Sequence, residues 1–449
     1  MAKTKSAEEL QLWQTSPQAN LNPTGGDPSQ HQAILINARQ GAGYPIALGQ
    51  IGHAITSRAT QVMLDYTASA CTIRYMIDGQ WESIPPMTRE VGDAMLVCLK
   101  QICQLNPADR RNPQGGKCQA KLGKDKFAFS LKSQGTPQGE RVLIRMDPEK
   151  IPFQTLAELG MRDSMIEQFK SALNSESACV LVGSPKGMGL TTAWNVSLNT
   201  ADKFIRDFQS LEPEIEKELE IINVNPNFYG GETGPSPIEL LQRLILKEPD
   251  VFVFPVIPDD QTFATALQQV AEHEKGIIAR YPAENAIEAC VRLCAQFPKS
   301  AKHFATTVKG ILNQRIVRRL CESCKVGYQP APALLQKLGI PAGRVTTLYQ
   351  QFVMPPIEQQ VDEKGKPAPI PPCATCQARG YHGRIAIFEF LQPGPQFRSA
   401  LLQTRDIPQL TKIAQSEGFR GMQSEAILTM ARGLTSLDEI KRAFAKPAS

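Results

Sequence analysis

Cys179–Trp194 reads CVLVGSPKGMGLTTAW, and the fold of the chain turns on this stretch. An apolar run from Cys179 to Val182 meets a glycine-rich turn, which runs into Thr191, Thr192 and a segment able to continue as a helix. Strand, glycine loop and helix in that order frame a phosphate-binding loop. Small residues there let backbone N–H groups curl around phosphate oxygens. The register GMGLTT puts Leu190 where GxGKTT carries its lysine, and Ser184 where the first glycine would stand. The loop keeps its outline and loses its charge. Taken alone, it reads equally as a plain turn between strand and helix. The anion-facing candidates are Ser184, Lys186, Gly187, Gly189, Thr191 and Thr192.

Around this loop, apolar and amphipathic segments alternate. A helix is expected over Leu156–Leu173, strands at Ile221–Val224, Val251–Ile257 and Gly276–Tyr281, and helices at Ile238–Leu246 and Thr262–Ala271. Strands separated by helices predict a parallel sheet covered on both faces, with ligands at the carboxyl ends of its strands. Upstream, Thr60–Asp65, Ala70–Ile77, Trp81–Ile84, Lys126–Leu131 and Glu140–Met146 read as strands and Thr88–Gln104 as a helix. Asp78-Gly79 is a hairpin signal. This is a small α+β domain, with a basic turn at Asp109–Lys117 and a linker at Pro148–Pro152. Residues 1–45 are rich in Gln, Pro, Asn and Gly without a period. They read as a mostly disordered tail, with one short helix around Ala7–Trp13.

Downstream stand Cys321-x-x-Cys324 and Cys373-x-x-Cys376, separated by 48 residues that include a Pro-rich loop. Two close-spaced pairs can converge as four thiolates, a zinc site; the alternative is four unligated thiols. Pro408–Ala445 has helical periodicity.

The length of 449 residues suggests about three domains. A net charge of +5 is mild, and no arginine-rich patch is interleaved with aromatics, so no nucleic-acid partner is expected. No apolar run reaches the roughly 18 residues of a membrane helix. MAKTKSAEELQLWQTS has no apolar core after its lysines, and the 11 cysteines are scattered through apolar segments. Both point to a cytoplasmic protein in a reducing compartment.

From about Thr60 to Ala445 the chain resembles the hexameric traffic ATPases of type II secretion and type IV pilus assembly, the secretion system protein E family. Arg74 with Ile77-Asp78-Gly79 is similar to the R-x-x-I-D-G segment of the family's PAS-like N-terminal domain. Ala108-Asp109-Arg110-Arg111 with Pro113-Gln114-Gly115 is similar to its AEKR-x-PQ-G turn. Gln314 to Cys321 (QRIVRRLC) and Gly380 to Glu389 (GYHGRIAIFE) resemble the two signatures flanking its cysteine pairs. The resemblance implies an α/β chain: a PAS-like α+β domain (46–150), a RecA-like P-loop core (151–320), a zinc-bearing tetracysteine subdomain (321–392) and a helical tail (393–449). It also implies a ring of six at an inner-membrane platform, either a homo-hexamer or a hetero-ring with a catalytic paralogue.

The departures follow one direction. The loop lysine is Leu190. The Walker B Gly-Glu-Ile-Arg-Asp reads Pro255-Val256-Ile257-Pro258-Asp259. The acidic Glu-Asp-Pro box aligns with Val224-Asn225-Pro226, the two histidine-box histidines with Lys275 and Pro282, and an arginine facing the triphosphate with Ser130. Phosphoryl transfer rests on charge and positioning around the γ-phosphate. The expectation is therefore a degenerate member, a pseudo-ATPase that binds ATP and Mg²⁺ weakly at most and serves as a structural or regulatory subunit. The competing expectation is a divergent active motor in which Lys186 supplies the displaced cation, Thr191 and Thr192 meet Mg²⁺, and Asp259 or Asp260 supplies an acid.

Overall fold

The structure is a computed structural model and describes residues 11–215, 217–360 and 368–445. The chain divides into two compact units, residues 1–152 and 153–449.

The first unit is built from β1 (Asn20–Pro23), β2 (Ala59–Tyr66), β3 (Ala70–Ile77), β4 (Gln80–Thr88), β5 (Gln114–Leu122), β6 (Asp125–Thr136) and β7 (Gly139–Pro148), with helices α1 (Leu12–Thr15), α2 (Pro28–Gln40), α3 (Gly43–Thr56) and α4 (Arg89–Ile102). The sheet is antiparallel throughout, in the order β1-β5-β6-β7-β2-β3-β4. Alternate residues of its strands (Val62, Leu64, Ile73, Tyr75, Leu131, Ile144) pack against Ala47 and Ile51 of α3 and Met95 and Leu99 of α4. Asp78 and Gly79, at φ +50° and +84°, make the expected tight hairpin.

The expectation of a mostly disordered tail to residue 45 is corrected over residues 11–45. There β1 pairs with the edge of β5, and Ala19, Leu21 and Ala38 are buried. Backbone pairing needs no apolar alternation, which is why a Gln- and Asn-rich composition concealed it. The short helix falls at Leu12–Thr15; residues 1–10 lie outside the described residues.

The second unit begins with α5 (Leu156–Leu159) and α6 (Asp163–Leu173). The single helix expected here is broken at Gly160, whose φ of +109° ends the first turn. Then follow β8 (Cys179–Gly183), α7 (Leu190–Thr200), β9 (Phe208–Pro213), β10 (Val224–Tyr229), α8 (Pro237–Ile245), β11 (Val251–Phe254), α9 (Asp260–His273), β12 (Gly276–Arg280), α10 (Ala286–Gln296), α11 (Ala301–Thr307), β13 (Val308–Leu320), β14 (Val326–Tyr328), α12 (Pro332–Lys337), β15 (Leu348–Gln350), β16 (Tyr381–Leu391), α13 (Pro395–Gln403), α14 (Ile407–Ser416), α15 (Met422–Ala431) and α16 (Leu437–Phe444). The main sheet runs β10-β9-β11-β12-β8-β13-β16, parallel except for β16.

Both faces of this sheet are covered. Cys179 and Leu181 of β8 enter one core with α8, α9 and α10; Val180 and Val182 enter another with α6 and α7. The strand expected at Ile221–Val224 is a turn leading into β10, and β9 was not foreseen. The boundaries expected near 320 and 392 separate no packing units. β16 is a strand of the main sheet, α13 and α14 place Phe397, Leu401 and Leu410 in the α9–α10 core, and α15 and α16 cover β13 and β16 through Met422, Ala426 and Ala443.

Candidate functional site

The glycine loop leaves β8 at the carboxyl edge of the sheet. Gly187 and Gly189 take φ of +78° and +76°, the left-handed region in which glycine is at ease. Gly189 also lies so close to Ile316 that a Cβ there would come within 2.7 Å of its side chain. Met188 N–H donates to Pro185 O (3.1 Å), and Gln314 Nε2 donates to Met188 O (2.7 Å), so β13 braces the loop.

Lys186, Gly187 and Thr191 are exposed, and Thr192 is half-buried at the start of α7. The fold thus gathers five of the six anion-facing candidates on one loop and helix start. Ser184 is the exception: it is buried, and its hydroxyl donates to Pro185 O. Leu190 packs against the core that holds Trp194 and Phe169. The residue in the lysine register therefore serves the interior.

Beside the loop, β12 lies between β8 and β11 and ends at Arg280. Arg280 donates through Nε to Pro255 O (2.8 Å) and bidentately to Glu218 (2.6 and 3.1 Å), and its guanidinium lies 5.8 Å from the Trp194 ring centroid. Glu218 N–H in turn donates to the buried Glu212, which also accepts from Ser210 Oγ (2.7 Å). The carboxyl ends of β9, β11 and β12 are thereby closed by a resident ion pair and its hydrogen bonds. No spacing in the sequence links positions 62 residues apart.

Topology also revises the acidic box. Val224–Pro226 starts the edge strand β10, whereas Glu212-Pro213 ends the interior strand β9 at the carboxyl edge. Lys275 sits before β12, where its ammonium donates to Glu248 O (3.3 Å), away from that edge. Asp259 is occupied as the cap of α9, accepting from Thr262 N (2.7 Å) and Thr262 Oγ1 (2.7 Å). Asp260 accepts from Lys299 N and Ser300 N and Oγ. Val256 and Pro258 join Pro213, Ile215, Tyr229 and Pro237 around an open apolar cleft of about 350 Å³.

A second site forms where β13 ends and β16 begins. These strands pair antiparallel with Leu320 opposite Tyr381, which brings Cys321 and Cys324 to Cys373 and Cys376 across the intervening 48 residues. The four sulfurs lie within 4.8 Å of one another, with Cys321–Cys373 at 3.8 Å and Cys324–Cys376 at 3.6 Å. A tetrahedral ion with metal–sulfur bonds of about 2.3 Å separates its ligands by about 3.8 Å, so the spacing fits such an ion. Backbone N–H groups of Cys376 and Thr375 hold the Cys373 thiol down to about 6, and Gly380 N–H donates to Cys376 Sγ (3.3 Å). Thr375 meets Ser323 at 2.9 Å and ties the two turns together. This cluster could hold a metal.

Two of the three arginines of QRIVRRLC, Arg315 and Arg318, brace rather than react. Arg315 pairs with Glu284 (2.7 Å) and donates to Ala443 O (2.7 Å). Arg318 pairs with the buried Glu439 (2.7 Å) and lies 4.0 Å from the Tyr381 ring centroid, and Arg442 pairs with the same carboxylate (2.6 Å). They lock α16 onto β13 beside the cysteine cluster. Among the described residues, no helix is long and apolar enough to cross a membrane.

Residues 46–442 match the family model described as Type II/IV secretion system protein. Similar proteins include a type IV pilus assembly ATPase PilB of Thermus thermophilus, 25% identical over 87% of this chain and 42% of its own length. A PilB of Pseudomonas aeruginosa is 25% identical over 82% and 62%, and the type II secretion system protein E of the same organism 23% identical over 87% and 73%. The chain thus spans less than two thirds of the length of either PilB. Among solved structures, the Legionella pneumophila ATPase DotB superposes with a TM-score of 0.54 at 12% identity, covering 94% of this chain and 96% of that one. The Yersinia pseudotuberculosis DotB gives 0.54 at 14%, covering 97% and 99%. At such identities the likeness speaks to the fold alone.

Proposed function

The chain belongs to the Type II/IV secretion system protein family, and we propose that within it the chain is a pseudo-ATPase, a structural or regulatory subunit of a type II secretion or type IV pilus-like machine. The observation that carries this reading is the fate of the carboxyl edge. Leu190 packs half-buried against the core, Val256 and Pro258 line an apolar cleft, and the cation at the end of β12 is already engaged by Glu218. A phosphoryl-transfer site needs fixed charge at the β- and γ-phosphates and a group that orients water. Leu190 and Val256 supply neither. Pro258 lacks even a backbone N–H.

What remains is the N-terminus of α7 with its free backbone donors, which favours an anion. Weak binding of nucleotide or phosphate fits this site, and turnover does not. Titration of the full chain with a fluorescent ATP analogue and Mg²⁺, with phosphate release followed in parallel, tests the reading. It requires weak or no binding and no release; tight binding with turnover would overturn it.

Zinc is the ion we assign to Cys321, Cys324, Cys373 and Cys376. Four thiolates complete its tetrahedral shell and leave no open position, so its role here is structural. In the bacterial setting of the relatives, such a chain acts on the cytoplasmic side, at the inner-membrane platform. It stands there in a ring of its own copies or beside a catalytic paralogue.

A further inference from the structure

Several apolar side chains face solvent at the carboxyl edge of the main sheet. Ile215 is 90% exposed, Leu219 49%, and Phe228 and Val256 are each 36% exposed. Ile215 and Val256 belong to the cleft already described, whose wall is completed by Pro213, Tyr229, Pro237 and Pro258. Three prolines and strand ends fix that wall. Its volume of about 350 Å³ is at the lower end of the roughly 300–1,000 Å³ of ligand pockets, and it is open, which suits one or two inserted side chains better than an enclosed small molecule.

The charge around the cleft has one dominant sign. Glu214 follows Pro213, and its carboxylate lies against Gly231, where a Cβ would come within 2.0 Å of it. Glu232 is exposed on the turn after Tyr229, Glu239 stands in the first turn of α8, and Asp259 follows Pro258. The cations nearest this rim among the described residues are three: Arg243 is exposed on α8 one turn beyond Glu239, and Lys217 and Arg280 lie nearer the strand ends. Lys217 lies 5.0 Å from the Phe228 ring centroid, and Arg280 is paired with Glu218.

We propose that this cleft docks a basic segment of a partner protein, which inserts an apolar side chain between Ile215 and Val256 and sets Lys or Arg against the exposed Glu214 and Glu232. An apolar centre inside a charged rim is the usual division between affinity and specificity at protein interfaces. The acidic rim disfavours a phosphate-bearing ligand and an anionic lipid surface. The positions from which the family's glutamate and arginine are missing thus form the wall of a recognition surface. The inference rests on the cleft's lining and rim and does not depend on the absence of hydrolysis.

The test uses the full chain and a fluorescein-labelled 14-residue amphipathic peptide of leucine and lysine, read by fluorescence anisotropy. Its counterpart with every lysine replaced by glutamate, and phosphatidylglycerol vesicles, run alongside. The lysine peptide should bind, and Ile215→Asp and Val256→Asp should each weaken it at least tenfold although each adds negative charge. The glutamate peptide and the vesicles should not bind. Near-UV circular dichroism checks that the variants stay folded. Ile215→Ser, at the most exposed of these side chains, gives the same comparison if an aspartate variant does not fold. Failure of the lysine peptide to bind, binding unchanged or tighter in the variants, or vesicle binding lost in the same variants would each overturn the proposal.

Discussion

Glu389 shows how much a single side chain in this fold is asked to do. Its carboxylate, fully inside the second unit, accepts from Ala286 N–H (2.6 Å) at the start of α10 and from Met422 N–H (2.7 Å) at the start of α15. One residue of β16 thus caps two helices, each with its dipole directed at the charge. Burial pushes the carboxyl up to about 7, while the two N–H groups and Arg315 pull the other way. A folded value above the ordinary one near 4.5 means that the folded chain holds its proton more tightly than the unfolded chain. That contribution to stability is complete below about pH 4.5 and is lost as pH rises to about 7, by on the order of 3 kcal/mol. Denaturation of wild type and Glu389→Gln at pH 5 and pH 8 should show the wild-type advantage shrinking at the higher pH; a constant difference contradicts the assignment. Arg280 and Glu218 make a second residue-scale prediction. A double-mutant cycle on this partly buried bidentate pair should return a coupling of about 1 kcal/mol, read by urea denaturation. The substitutions at Leu190, Val256 and Pro258 were legible in the sequence because a motif has a fixed register. The pair that closes the same edge was not, because only folding brings its members together.

At the scale of elements, the two cysteine turns depend on the β13–β16 ladder, and the ladder on them. Their spacing was readable as a chemical motif, whereas their convergence required the pairing of Leu320 with Tyr381. Elemental analysis should find about one zinc per chain. Removing it with a chelator, or substituting Cys373→Ser, should lower the thermal midpoint of the second unit; a metal-free chain of unchanged stability contradicts a structural ion. In the first unit, α4 is tied to β7 by Lys100 and Glu140, 2.5 Å apart with side chains 1% and 2% exposed, and Lys100 also donates to Asp109 O (2.7 Å). Lys100→Met alone strands a buried carboxylate and should cost about 3–5 kcal/mol, more than Lys100→Met with Glu140→Leu. Strands β2 and β3 were readable from their alternation. β9 was not, because Gln209, Ser210 and Glu212 are buried through hydrogen bonds and interrupt the apolar pattern.

Among the described residues, one chain makes two seven-stranded sheets of different kind, beside the short β14–β15 pair: an antiparallel sheet with helices on one face, then a sheet parallel except for β16 and covered on both. The alternation of strand and helix from Cys179 to Tyr281 already required the second. The integration of the C-terminal segments was hidden, because helical periodicity after Pro408 does not say which core the helices enter. Light scattering of the chain alone and mixed with a catalytic relative tests the proposed ring, which requires a large species in at least one of the two; a monomer in both contradicts it. The central claim, an ATPase fold without ATPase chemistry, meets its most direct test in steady-state phosphate release from ATP by the wild-type chain and by Lys186→Ala, purified identically. The account predicts that both stay at the level of a mock preparation. Hydrolysis by the wild type that Lys186→Ala abolishes would make Lys186 the displaced catalytic lysine and would contradict the account outright.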